Sequence, residues 1–480
     1  MNRFTVFLLL CIGLMRLGYA QTTMPKFAAT DVKADLRYLY ETLAASHYNL
    51  YAKTPKRVYD KAYQELYNSI QDSLTPLQIN RLFQPFVAKA QLGHCVTGYP
   101  FKSYNAFLAN GGRVFPFDVR VNKRHMYVVS NHTTDTTIHD GDEILALYGV
   151  TMSQWLTRIY RYLSGENEYY KNTLIDLVGF PRLFWMVYDQ TGQFSIKIKR
   201  TDGRVVFVNT PGILASSYRE IRNRQPALFT TSRQLNFIQT IAYLRPGQFL
   251  NSESSGNTSR QETFQKGEFI QFIDSAFVQM HRRKINQLLI DLRGNPGGDN
   301  TFSDYMVAYF ATRPFSFYST FRVKTSAVTK SFWRNVTDSS LATLKRDILS
   351  KKDGEQFAVN QSLYPNREDS LRFTGNVYVL IDRYTYSNAA TTAAQIQDYR
   401  FGTLLGEPTA ESPTLYASVH EFELPKTKTE VTYPKAFMIR PSGNQLLRGV
   451  TPDIIVPEKV LMSSDDVLTF ALDYIHQTNE

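Results

Sequence analysis

Two apolar runs constrain this chain more than any other feature. Leu288-Leu-Ile-Asp-Leu292 stops at Arg293-Gly-Asn-Pro-Gly-Gly298, and Val377-Tyr-Val-Leu-Ile381 stops at Asp382-Arg-Tyr-Thr-Tyr-Ser387. Short runs without alternation read as strands buried on both faces, which helices must cover from either side. The segments that follow them, 299–312 and 387–399, read as those helices, and 402–406 adds a further strand. Strand, crossover helix and strand recur over roughly 235–460, so an α/β sheet is expected, with its chemistry where strands hand over to helices.

The rest of the 480 residues is too long to join one compact core. From 30 to about 91 the apolar residues keep helical spacing, as in Val32, Leu36, Tyr40 and Leu43, then Tyr59, Tyr63, Leu66 and Ile70, and Thr75-Pro76 opens a third run with Ile79, Leu82 and Phe86. Between 111 and about 208 short alternating runs separated by polar turns predict a β-rich domain. Within it, Ile138-His-Asp-Gly-Asp-Glu-Ile-Leu-Ala-Leu-Tyr-Gly-Val150 is similar to the closing half of a PDZ domain, a plain hairpin being the alternative. A polar stretch over 325–372 interrupts the α/β alternation and is expected to lie over the core as a lid.

Arg3, the apolar run from Phe4 to Leu14 and the small residues Gly18 and Ala20 ahead of Gln21 have the order of an export signal. The run is shorter than the ~20 residues a membrane span needs, so residues 1–20 are expected to be cleaved, with an uncleaved anchor as the other reading. The mature protein would be periplasmic or extracellular, with no stable span. If Cys11 leaves, Cys95 stands alone, which excludes an internal disulfide and a cysteine-based zinc site. The eight histidines show no paired-ligand spacing, so neither metal nor cofactor is expected. The net charge of +11 is scattered, its densest run being His281-Arg-Arg-Lys284, which argues for a solvated surface and against a nucleic-acid partner.

Each strand end then offers chemistry. Glycines in Gly294-Asn-Pro-Gly-Gly298 allow a tight turn with outward amides next to a helix N-terminus, a setting that suits a developing oxyanion. Ser387, at the start of a small-residue helix, reads as a helix cap or as a nucleophile whose following amide, from Asn388, faces what its hydroxyl attacks.

Asp291-Leu-Arg-Gly-Asn-Pro-Gly-Gly298, Tyr384-Thr-Tyr-Ser387, Leu405-Gly-Glu-Pro-Thr409 and Gly449-Val-Thr-Pro-Asp-Ile454, in this order, resemble the S41 serine peptidases, the group of carboxy-terminal processing and tricorn core proteases. The resemblance implies a crotonase-like (ClpP/crotonase ββα) α/β core over 211–480, preceded by a helical domain over 21–110 and a PDZ-like β-rich domain over 111–210. It implies Ser387 as nucleophile, the amides of Asn388 and of Gly297 or Gly298 as oxyanion hole, and a peptide or protein as substrate. The processing-protease branch places a lysine where this chain has Ser412, and the nearest lysines, Lys426 and Lys428, sit in a polar stretch resembling a hairpin turn. The tricorn-like branch places a histidine where Leu92-Gly-His-Cys-Val-Thr97 falls, which makes His94 the expected base; a packing or capping histidine is the alternative. The relay residues of that branch correspond here to Gly93 and Leu446, and the glutamate three residues past the nucleophile to Ala390, so His94 would need another orienting group, such as a backbone carbonyl or water. The competing functions are a peptide-binding protein that has lost turnover and a crotonase-like acyl-transfer enzyme.

Overall fold

The structure, a computed structural model, describes residues 24–188, 192–224, 228, 231–251, 265–337, 341–456 and 465–478; the expected export signal lies outside them. Its centre is a six-stranded sheet ordered Gln234–Ile238, Ile241–Arg245, Gln287–Asp291, Asn376–Ile381, Thr403–Gly406 and Ile454–Ile455. All neighbours are parallel except the first pair. Helices Gly267–Arg282, Asn300–Val307 and Asn388–Tyr399 cover one face, where Leu288, Ile290, Val379 and Ile381 pack with Phe277, Phe302, Met306 and Ala393. Helix Asp466–Gln477 covers the other, where Leu289, Tyr378 and Leu380 meet Val467, Ala471 and Ile475. Burial from both sides is why the two strands show no polar alternation. Their register, Gln287 opposite Asn376 through Asp291 opposite Leu380, makes both strands end side by side.

The N-terminal helices form as expected at Ala29–Ser46, Lys56–Ser69 and Pro76–Val87, the last opened by a capping box of Thr75 and Gln78. They close over a second sheet built around the long hairpin Leu415–Glu423 and Glu430–Ile439, with Leu36, Phe83 and Val87 packed with Phe422, Val431 and Tyr433. The short strand Val96–Thr97, just past His94, is an edge of that sheet.

Two regions differ from expectation. The stretch expected as a lid contributes Gln356–Ala358 as a strand beside Thr320–Lys324, and its helices Ala327–Arg334 and Ala342–Ser350 bury Trp333 and Ile348 against Val323 and Ala436. It is thus packed onto the second sheet, and its polar sequence reflects the outer faces of the two helices. The β-rich region forms the sheet Phe117–Asn122, His125–Asn131, Glu143–Leu147, Gln193–Lys199 and Val205–Pro211, with the Gly141-Asp142 turn feeding its third strand. It also holds three helices, Met152–Ile159, Glu168–Val178 and Phe180–Val187, between the third and fourth strands. Their apolar faces, with Trp155, Ile175 and Phe184, complete a core the strands alone leave open.

Candidate active site

The site is built where the two central strands end. After Ile381 the chain turns through Asp382-Arg-Tyr-Thr385, closed by Thr385 N–H donating to Asp382 O at 3.0 Å and Asp382 N–H donating to Thr385 Oγ1 at 3.0 Å. The neighbouring turn is stitched to it: Gly294 N–H donates to Asp382 Oδ1 at 3.1 Å, Thr385 Oγ1 donates to Leu292 O at 2.9 Å, and Tyr386 N–H donates to Asn295 O at 2.9 Å. Ser387 follows with φ 52° and ψ −123°, a conformation that L-residues adopt only where the surroundings impose it. It stands at the N-cap of helix Asn388–Tyr399, yet its side chain makes no capping bond. Among the described residues its hydroxyl has no hydrogen-bond partner, which removes the reading of Ser387 as a structural cap.

The glycine turn reaches the same place. A Cβ on Gly297 would lie 2.6 Å from Tyr386 O, 2.7 Å from Asn388 N and 3.0 Å from Ser387 Cβ, at a φ of +89°. Only a residue without a side chain allows the two turns to touch. Phe249 N–H donates to Gly297 O at 2.8 Å and Asp299 N–H to Phe249 O at 2.9 Å, a parallel bridge that skips the amide of Gly298, itself an exposed residue. The Gly297 amide donates to Asn295 Oδ1 at 2.9 Å and is therefore occupied, which leaves Gly298 and Asn388 as the amides of this group without a partner among the described residues. Gly297→Ala is expected to push the turns apart and, if Ser387 reacts with a fluorophosphonate, to slow its labelling by at least about 100-fold, the scale of losing one oxyanion donor; labelling kinetics measure it, and an unchanged rate would show that the contact is dispensable.

His94 is brought to the same site by a route absent from the sequence motifs. Its Nδ1 lies 3.2 Å from Glu411 Oε1, while the other oxygen of that carboxylate accepts the backbone N–H of Ser387 at 2.5 Å. One side chain thus joins the turn of His94 to the turn of Ser387. Glu411 is held in turn by Thr409, whose Oγ1 donates to Glu411 O at 2.8 Å and accepts the N–H of Val450 at 2.9 Å. Gly449 makes that crossing possible, since a Cβ there would sit 1.8 Å from Thr409 O. The Gly449-Val-Thr-Pro segment accordingly fixes the carboxylate loop.

The group set beside His94 Nδ1 is the carboxylate of Glu411, one residue before Ser412, in place of the backbone carbonyl or water expected there. The available signal was a single acid in the otherwise uncharged run Pro408-Thr-Ala-Glu-Ser-Pro-Thr-Leu415. Ser412 Oγ bonds to Leu446 O at 3.3 Å, so neither position brings an ionisable group. Lys426 and Lys428 lie in the turn after Glu423, at 4.0 Å from Asp31 and 3.0 Å from Glu423.

Tyrosines and a second acid surround the carboxylate. Tyr170 and Tyr386 share a hydroxyl–hydroxyl bond of 2.5 Å, Tyr170 also donates to Glu411 Oε1 at 3.4 Å, and the His94 and Tyr386 ring centres are 5.9 Å apart. Gly93 N–H donates to Glu166 Oε1 at 3.2 Å. Burial pushes Glu411 up to about 8 against the opposing bonds from Ser387 and Tyr170, and burial lowers His94. Burial likewise pushes the Cys95 thiol up to about 12, so it is no competing nucleophile. Among the described residues no cluster of acids, histidines and cysteines is placed to hold a metal, and no helix is long and apolar enough to cross a membrane.

Residues 241–456 match the profile of peptidase family S41. Among solved structures, mature CPAF complexed with lactacystin superposes with a TM-score of 0.64 at 14% identity, over 93% of this chain and 97% of that one. A serine-to-alanine mutant of CPAF gives 0.63 at 15%, over 93% and 96%. The photosystem II D1 C-terminal processing protease aligns over 92% and 97% at 13% identity with a TM-score of 0.43. The CPAF likeness extends the shared fold beyond the matched core to the helical and β-rich parts.

Proposed function

We propose that the chain, whose residues 241–456 match peptidase family S41, is a serine-type peptidase that cleaves peptide bonds through an acyl-enzyme on Ser387, with His94 as general base and Glu411 as the group that orients it. The observation that carries this reading is the bridging carboxylate, with one oxygen on His94 Nδ1 and the other on the Ser387 amide. With Glu411 ionised, His94 keeps its proton on Nδ1 and offers the Nε2 lone pair. As Ser387 Oγ bonds to the scissile carbonyl carbon, Nε2 takes the hydroxyl proton and the carbonyl π pair moves onto oxygen. Amides of Gly298 and Asn388 are the donors available to that oxyanion, each worth about 3 kcal/mol in such sites. The C–N bond then breaks as the imidazolium protonates the departing amine, and water, deprotonated by the same nitrogen, releases the acyl group.

This arrangement carries its own pH dependence. If Glu411 is protonated it donates to Nδ1, the ring proton moves to Nε2, and the base is blocked. Activity therefore requires loss of one proton from the His94–Glu411 pair, which titrates as a unit. With Glu411 pushed up to about 8, kcat/KM for a peptide is expected to rise through neutrality and reach half its maximum near pH 8. A profile already flat from pH 5 upward would contradict the assignment of Glu411. The general test is a fluorophosphonate probe with peptide cleavage measured in parallel. Labelling at Ser387 together with turnover supports the reading, whereas binding of peptides without labelling at any pH would favour a peptide-binding protein on this fold.

A further inference from the structure

The turn that carries His94 is gripped from outside the core. Ser164 Oγ donates to the carbonyl of Cys95, on one side of the histidine, and Glu166 Oε1 accepts the amide of Gly93 at 3.2 Å, on the other. Both belong to the link between helices Met152–Ile159 and Glu168–Val178 of the β-rich region. Gly93 is required there: a Cβ would lie 2.4 Å from the Tyr170 hydroxyl. The second oxygen of Glu166 is buried and, among the described residues, has no hydrogen-bond partner. Burial raises Glu166, Glu411 raises it further, and His94 and the Gly93 amide oppose them.

We propose that Glu166 is a positioning residue of the Ser387 site, one that fixes the His94 turn through the Gly93 amide and, as a second carboxylate beside Glu411, sets the pH at which His94 becomes a base. The inference rests on the proposed roles of Ser387, His94 and Glu411. The groups around Glu166 are Glu411 and Tyr386 from the core, His94 from the turn, and Tyr170 and Lys171 from the helix that follows, with Arg124 and Glu168 lining the same cavity of about 330 Å³. Two acids flank one histidine, so ionising both is opposed by their repulsion. Where Glu166 is ionised, its negative charge favours the protonated His94 ring and so holds that proton to higher pH.

Two variants separate the tasks. Glu166→Gln keeps an oxygen for the Gly93 amide and deletes the charge, so its plateau kcat should stay within about threefold of the parent while the midpoint of the pH profile moves down by about one unit. Glu166→Ala also deletes the acceptor, and its plateau kcat should fall about tenfold with KM unchanged, the expected cost of a loosened base. A midpoint that stays put or moves up in both variants overturns the charge role; equal plateaus for the two overturn the clamp. Probe labelling of Ser387 in the parent enzyme is read alongside: absence of label there sinks the underlying mechanism, whereas normal label with unshifted profiles sinks the role of Glu166 alone.

Discussion

Ser387→Ala is expected to lower kcat/KM for peptide hydrolysis by about 10⁵-fold or more, the scale seen when a serine nucleophile is removed, and to abolish fluorophosphonate labelling. The same change should leave the fold almost untouched. Serine at an N-cap ordinarily stabilises a helix by about 1 kcal/mol, but only through a side-chain bond to the first turn, and Ser387 makes none. Its backbone is held by Glu411 and by the turn from Asp382 to Tyr386, and both contacts use main-chain atoms of Ser387 or other residues altogether. A melting temperature within about 0.5 °C of the parent is therefore expected, equivalent to a few tenths of a kcal/mol in a chain of this length. Retention of turnover in this variant would remove the proposed mechanism at its root.

Glu411→Gln should separate stability from activity. The Ser387 amide requires an acceptor, so the carboxamide oxygen takes that place and its NH₂ faces His94 Nδ1. A donor there forces the ring proton onto Nε2, and kcat should fall by about 10³- to 10⁴-fold, the cost of the wrong tautomer in such triads. Stability should move the other way in alkali. Glu411 binds its proton more tightly when folded, about 8 against an ordinary 4.5. The stabilisation is then complete below pH 4.5 and is lost as pH rises through 8, a swing of at most roughly 5 kcal/mol. Glutamine does not titrate, so the variant should melt above the parent at pH 9 and near it at pH 5. Equal activity would show that Glu411 does not orient the base, and a variant that melts lower at pH 9 would show that burial does not strain it.

How much of this was legible depends on the range over which each signal acts. Periodicity revealed the doubly covered strands and the N-terminal helices, because burial writes itself into neighbouring residues. The resemblance to S41 motifs singled out Ser387, Asn388, the glycine turn and His94, and the structure brings these together. Glu411 escaped because its partner is 24 residues away for Ser387 and still further for His94, and its loop is placed by a contact with Val450. Nothing local marks such a residue except a charge where charges are rare. Asn295 was overlooked for a different reason: its side chain folds back onto the Gly297 amide, a competition between turn and oxyanion hole that composition does not record. The three helices in the β-rich region had a readable start, the Thr151–Gln154 capping box, but the alternation on either side outweighed it.

The Thr409–Val450 crossing has an implication for the life of the molecule. A ribosome delivers the histidine first, the hydroxyl nearly three hundred residues later, and the residues that seat the connecting acid after that. On the proposed mechanism, the hydroxyl and the histidine therefore wait for the acid that joins them until residue 450 has emerged and docked.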